Sequence, residues 1–185
     1  MAARWLTGPC RSSAQAKADP SSLPRSPQYT YEGAVPYART ATCLADLNDW
    51  LTSELASPSG LRTHFPIEIR FTERDDIWLS PTYDQRATYI GAIQYRPFNL
   101  PVPYKKYFLG FERVLLTHAG RPHWAKSHAV GLPELHRRYA KLGAWLKVRE
   151  RVDPGRVLCN PYVRRHLLGE VGEDMDCRRF KSTGR

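Results

Sequence analysis

An α+β domain, with an antiparallel sheet covered on one face by helices, is the fold this sequence predicts. Three observations predict it. Apolar residues recur at helical spacing over residues 40–55, and apolar and charged residues alternate over residues 64–71. The elements then run helix, strands, helix, helix, without the strand–helix–strand alternation that builds a parallel sheet. The sheet face left uncovered is the candidate site.

In the first helix Leu44, Leu47, Leu51 and Leu55 form the apolar stripe, with Asp46 and Asp49 toward the early turns and Pro58 ending the run. After a Ser-Pro-Ser-Gly turn, the two-residue period points Phe65, Ile67, Ile69 and Phe71 one way and Glu68 and Arg70 the other. Ile77-Trp78-Leu79 and Ala87 to Tyr95 read as two more strands, antiparallel neighbours joined by the turn from Thr82 to Arg86. Tyr104 to His118 carries Phe108, Phe111, Val114 and Leu115 on one helical face, and Gly120 stands where a left-handed C-terminal cap belongs. Pro133 opens a last helix with the stripe Leu135, Tyr139, Leu142 and Leu146, stopped by Asp153-Pro154-Gly155.

A chain of 185 residues is long enough for one domain with a sizeable core. Residues 1–27 are rich in Ser, Ala, Pro and Arg with no acid before Asp19, and read as a disordered leader. Their composition resembles a mitochondrial transit peptide, although the amphipathic spacing of arginines is poor. Residues 28–168 form the domain, and 169–185 a basic, flexible tail. The net charge of +10 favours anionic partners, a steering effect that fits acidic lipid headgroups, nucleic acid or a phosphorylated cofactor. No nucleic-acid reading motif accompanies the charge, so a nucleic-acid partner is not expected. Four cysteines without a CxxC pair argue against a zinc ribbon and against a disulfide scaffold.

Two groups could carry chemistry. Glu68 and Arg70 sit side by side on one strand face, where a carboxylate and a guanidinium can orient a polyol and stabilise negative charge on a reacting oxygen. The same pair could equally be a surface ion pair worth about 0–1 kcal/mol. The second group is Gly120-Arg121-Pro122-His123-Trp124-Ala125-Lys126, just past a helix end. Its histidine can shuttle protons, its lysine can polarise an oxygen, and its tryptophan can shield both or simply be buried. His118, His123 and His128 recur every five residues, a spacing that does not align ligands on a helix, so no metal site is expected. No GxGxxG, GxxxxGK[ST] or GxSxG occurs, so the chain shows no phosphate-binding loop of its own.

Five ordered motifs then carry a resemblance: His64-Phe-Pro-Ile-Glu-Ile-Arg-Phe71, Asp75-Asp-Ile-Trp-Leu-Ser-Pro81, Tyr89-Ile through Tyr95-Arg-Pro97, Gly120 to Lys126, and Asp153-Pro-Gly with Asn160-Pro-Tyr162. Together they resemble the C-terminal region of the aldonolactone oxidase family, which includes the D-arabinono-1,4-lactone and L-gulonolactone oxidases. The resemblance implies the cap domain of a vanillyl-alcohol-oxidase-type fold. It implies FAD-dependent oxidation of an aldono-1,4-lactone with O2 as acceptor, giving H2O2, in ascorbate or erythroascorbate biosynthesis. By the same resemblance Glu68, Arg70 and Lys126 are catalytic, and Glu68, Arg70, His123 and Lys126 bind substrate. Arg70, His123 and Asn160 are then expected to face the cofactor. Family members carry a longer N-terminal flavin-binding domain, which nothing before Gln28 matches. FAD would therefore be bound mainly by a part outside this chain, or by a separate flavin-domain chain. Two readings stay open: an oxidase part, mitochondrial and membrane-associated by resemblance or cytoplasmic if the leader is not a transit peptide, or an inactive remnant serving only as a binding domain.

Overall fold

The structure, a computed structural model, describes residues 27–170 apart from Ser59 and His64. The expected leader, all but Pro27, and the tail beyond Glu170 lie outside the described residues, as do Cys10 and Cys177. Four strands and five helices follow in chain order: β1 (Gln28–Pro36), α1 (Thr40–Ala56), β2 (Glu68–Thr72), β3 (Ala87–Tyr95), α2 (Lys105–Thr117), β4 (Arg121–Pro122), α3 (Leu132–Arg138), α4 (Leu142–Val152) and α5 (Pro161–Leu167). The strands form one antiparallel sheet in the order β2-β3-β1-β4, the α+β architecture expected.

Registered residues of neighbouring strands share a face, so the pairings assign every side chain. Tyr31, Val35, Ile90 and Ala92 point to the side covered by α1 and α2, where they pack with Cys43, Leu47, Tyr107, Phe108, Phe111 and Leu115. This is the main core. A second cluster, Val130, Leu135, Tyr139, Leu142 and Leu167, joins α3, α4 and α5 beside the sheet.

The elements depart from expectation in several places. β1, absent from the sequence reading, is the central partner of both β3 and β4. Residues Tyr31 to Val35 are buried on both faces, so the alternation that marks a half-buried strand is missing. Ile77-Trp78-Leu79 is not a strand. Asp75 organises this stretch locally, accepting hydrogen bonds from the Ile77 N–H (3.1 Å), the Ser80 hydroxyl (2.5 Å) and the Thr82 hydroxyl (2.6 Å), and turn chemistry prevails over apolar content.

The strand expected over 64–71 forms only from Glu68, and it is a sheet edge. Its apolar side, Ile69 and Phe71, is exposed because α1 and α2 stop short of it. The last helix is two helices. The chain leaves the helical path at Tyr139 (φ −111°, ψ 93°), whose buried hydroxyl donates to the Pro122 carbonyl (2.9 Å), while Arg138 donates to the Gly120 and Leu116 carbonyls. These bonds fasten the break to the end of α2, which a local periodicity cannot foresee.

The left-handed residue after α2 is Ala119 (φ 58°), one before the glycine expected there. Gly120 is needed for space instead, since a Cβ on it would lie 2.5 Å from the Leu115 carbonyl oxygen. Ala119→Gly removes the Cβ penalty of a left-handed residue and is expected to raise stability by about 0.5–1 kcal/mol, read as a higher urea midpoint at unchanged slope. Lower stability would show that the strain is taken up elsewhere.

Candidate functional site

On the face away from α1 and α2, the register aligns Glu32 of β1, Gly91 of β3 and Glu68 of β2 in one row. Ala34, Tyr89 and Arg70 form the next row. Glu68 and Arg70 therefore do project together on the side away from α1 and α2, as their spacing predicts, and that side is exposed at β2 but buried at β1. Arg121 joins the same face from β4, opposite Ala34.

Glu68 is not the main partner of Arg70. Arg70 Nε lies 3.7 Å from Glu68 Oε1, but the guanidinium reaches across β3 to Glu32. It donates to Glu32 Oε1 from Nε at 3.1 Å and, more closely still, from Nη2. Gly91 makes this crossing possible, because it places no side chain in the lane between the two strands. The Tyr89 ring supports the guanidinium from below, with Cζ 5.3 Å from the ring centroid. Hydrogen bonding to Glu32 raises the Arg70 pKa further, with burial opposing and both carboxylates assisting, so the cation is permanent.

Glu32 escaped the sequence reading. Its side chain is 5% exposed, and its Oε2 has no hydrogen-bond partner. The only signal in the sequence is a lone acid inside the run Tyr-Glu-Gly-Ala-Val.

His123 arrives from the end of β4. Its N–H donates to the Glu32 carbonyl (3.0 Å), which continues the β4 pairing, and its Nδ1 accepts the Ala125 N–H (3.0 Å). With Nδ1 accepting, the neutral ring carries its proton on Nε2, and that atom lies 3.9 Å from Glu32 Oε2. The imidazole also meets Tyr89 edge-on at 6.0 Å.

Lys126 follows on the same loop, half-buried, its N–H donating to the His123 carbonyl (3.0 Å). Trp124 turns away from the site. Its Nε1–H donates to the Leu79 carbonyl (2.6 Å) and its ring packs on Tyr139 at 4.9 Å, so it anchors the loop to the second core. Asn160 is the N-cap of α5, its side-chain oxygen accepting the Val163 N–H (2.9 Å), which leaves its NH2 group as a donor.

The other two histidines of the five-residue series have separate partners. His118 Nε2 is 2.7 Å from Asp46 Oδ2, and His128 Nε2 is 2.6 Å from the Tyr162 hydroxyl. Burial, then the neighbouring His166, pushes His128 down to about 3, so it is neutral near pH 7. The arrangement as a whole is a polar strip of fixed cation, buried carboxylate, exposed carboxylate and imidazole on one rigid sheet. It can grip a neutral polyhydroxylated ring by donating and accepting hydrogen bonds in set directions.

Comparison with known proteins places the chain in a family. The family profile described as D-arabinono-1,4-lactone oxidase matches residues 22–166. The chain is 36% identical over 138 residues to an L-gulonolactone oxidase of Scyliorhinus torazame, an alignment covering 75% of this chain and 30% of that protein. It is 38% identical over 114 residues to an L-gulono-1,4-lactone dehydrogenase of Mycobacterium tuberculosis, covering 62% of this chain and 26% of the relative. It is also 32% identical to a putative D-arabinono-1,4-lactone oxidase of Neurospora crassa, covering 80% of this chain and 31% of the relative. The chain belongs to the D-arabinono-1,4-lactone oxidase family, and spans about three tenths of the length of these relatives.

Proposed function

We propose that this chain is the substrate-facing part of an FAD-dependent oxidase that dehydrogenates a ring hydroxyl of an aldono-1,4-lactone, D-arabinono-1,4-lactone or a close relative. O2 is the final acceptor, giving H2O2, and the product leads toward ascorbate or erythroascorbate. The observation that carries the reading is the pair Glu68 and Arg70, side by side on the exposed edge of the sheet face away from α1 and α2, in a chain of this family.

The residues present suit the cofactor as a partial site. Arg70 is a half-exposed permanent cation, His123 presents an imidazole and Asn160 an NH2 donor, polar groups of the kind an electron-rich ring edge needs. These three would contact FAD, and the bulk of its binding would come from a part beyond this chain. FAD, when bound, supplies the hydride acceptor. The chain's own task is placement. The Glu68 carboxylate accepts hydrogen bonds from ring hydroxyls, Arg70 donates to them, and the Lys126 ammonium polarises the oxygen at the reacting carbon.

The test is a chimera in which residues 28–168 replace the matching third of the Scyliorhinus torazame relative, assayed with FAD and D-arabinono-1,4-lactone for peroxide. Lactone-dependent peroxide is expected, falling about 100-fold in Arg70→Ala and in Glu68→Ala, the scale for loss of a preorganised polar contact. An active chimera indifferent to both substitutions would sink the reading. A folded, flavin-containing chimera that forms no peroxide would favour the inactive binding domain.

A further inference from the structure

Glu32 is almost wholly buried, yet it is a carboxylate on the same face as the candidate site. A buried charge is retained only where partners offset its lost hydration. Here one oxygen is satisfied and one is not. Oε1 receives two N–H groups of Arg70, and Oε2 receives none, with His123 Nε2 the facing donor at 3.9 Å. The two groups that Glu32 addresses are the two that the proposed site uses from different elements, Arg70 from β2 and His123 from β4.

The competition for Arg70 has a chemical consequence. Glu68 is its neighbour on the strand but stays at 3.7 Å, outside hydrogen-bond range, and its side chain is 57% exposed. Because Glu32 holds the guanidinium from beneath, Glu68 keeps its lone pairs for a ligand.

We propose that Glu32 is the positioning residue of this site: one carboxylate oxygen fixes Arg70, the other faces the His123 Nε2–H, and the Glu68 carboxylate is thereby left open to ligand hydroxyls. The class of ligand that fits is a neutral polyol ring, which presents hydroxyl donors to Glu68 and acceptor oxygens to Arg70. The ligand class rests on the proposed function, whereas the positioning role rests on geometry alone.

The experiment is side-chain NMR on the isotope-labelled 185-residue chain, and it needs no cofactor or activity. In the wild type, the correlation transmitted through the hydrogen bond from Arg70 Nε is expected to reach the Glu32 carboxyl carbon. Glu32→Gln is expected to speed Arg70 Nε–H exchange about ten-fold or more, the effect of losing a charge-assisted hydrogen bond, while Glu68→Gln leaves it unchanged. A correlation to the Glu68 carboxyl, or fast exchange in Glu68→Gln but not in Glu32→Gln, overturns the proposal. Should Glu32→Gln fail to fold, the wild-type correlation decides alone. Failure of the chimera with this NMR pattern intact would remove the oxidase reading and leave the positioning role standing.

Discussion

Phe111→Ala is expected to cost about 3–5 kcal/mol, a large part of the total stability of a domain this size. Phe111 is fully buried on α2, and its ring meets Tyr31 at 5.6 Å and Tyr107 at 5.8 Å, both edge-on. Tyr31 belongs to the central strand, so the contact is the bond between the helical layer and the sheet. Truncation removes the transfer energy of the ring and opens a cavity walled by two large aromatics and Leu115, which cannot collapse into it without moving the sheet. The corresponding fall in melting temperature is about 6–20 °C for a chain of this length. Calorimetry decides. A fall of less than about 5 °C would mean that α2 slides to fill the space, and that the two layers are less firmly coupled than their packing indicates.

Glu112→Gln is expected to stabilise the protein at pH 8 by up to about 3 kcal/mol and to make little difference below about pH 4.5. Glu112 is 5% exposed, and both its oxygens accept the Ala129 N–H at 3.1 Å. Burial raises its pKa from 4.5 to about 7, with the Ala129 hydrogen bond and Arg138 opposing. A carboxyl whose folded pKa is raised binds its proton more tightly in the native state. Stability therefore falls as pH rises from about 4.5 to about 7, and the cost is fully present above that. At about 1.4 kcal/mol per pH unit, the interval corresponds to about 3 kcal/mol.

His128 works in the opposite direction. Its pKa is lowered from 6.5 to about 3, so the folded state loses stability as pH falls through that window. The difference between the variant and the wild type isolates Glu112, and urea unfolding at pH 4, 6 and 8 measures it. A difference independent of pH would show that Glu112 is not titrating in the folded protein as its surroundings dictate.

What the sequence disclosed and what it concealed follow one physical line. Glu68 and Arg70 were legible because the face of an edge strand is set by a period of two, whatever lies around it. The α1 and α2 stripes were legible because each helix is covered on one side only. Glu32 was not, because β1 is enclosed on both sides and carries no alternation to read. The pairing of Arg70 with Glu32 instead of Glu68 depends on Gly91 leaving the lane across β3 open, a fact of register between strands almost 60 residues apart in sequence. The break at Tyr139 was hidden for a related reason. Its residue remains buried, so the apolar stripe runs through it undisturbed, while the hydrogen bonds that enforce the bend come from α2 and β4.

The two sides of β2 have been given unrelated duties by a backbone that cannot separate them. Arg70 and Glu68 look toward the polar strip, while Ile69 and Phe71 look into water on the reverse, with Phe71 67% exposed. Greasy residues there can be exchanged for soluble ones without touching the chemistry, since alternate side chains never meet. A shift of this strand by a single residue against β3 would do the reverse: every backbone hydrogen bond could be remade, yet phenylalanine would stand where the guanidinium belongs. The polar face is thus secured less by its own contacts than by the register of an outermost strand.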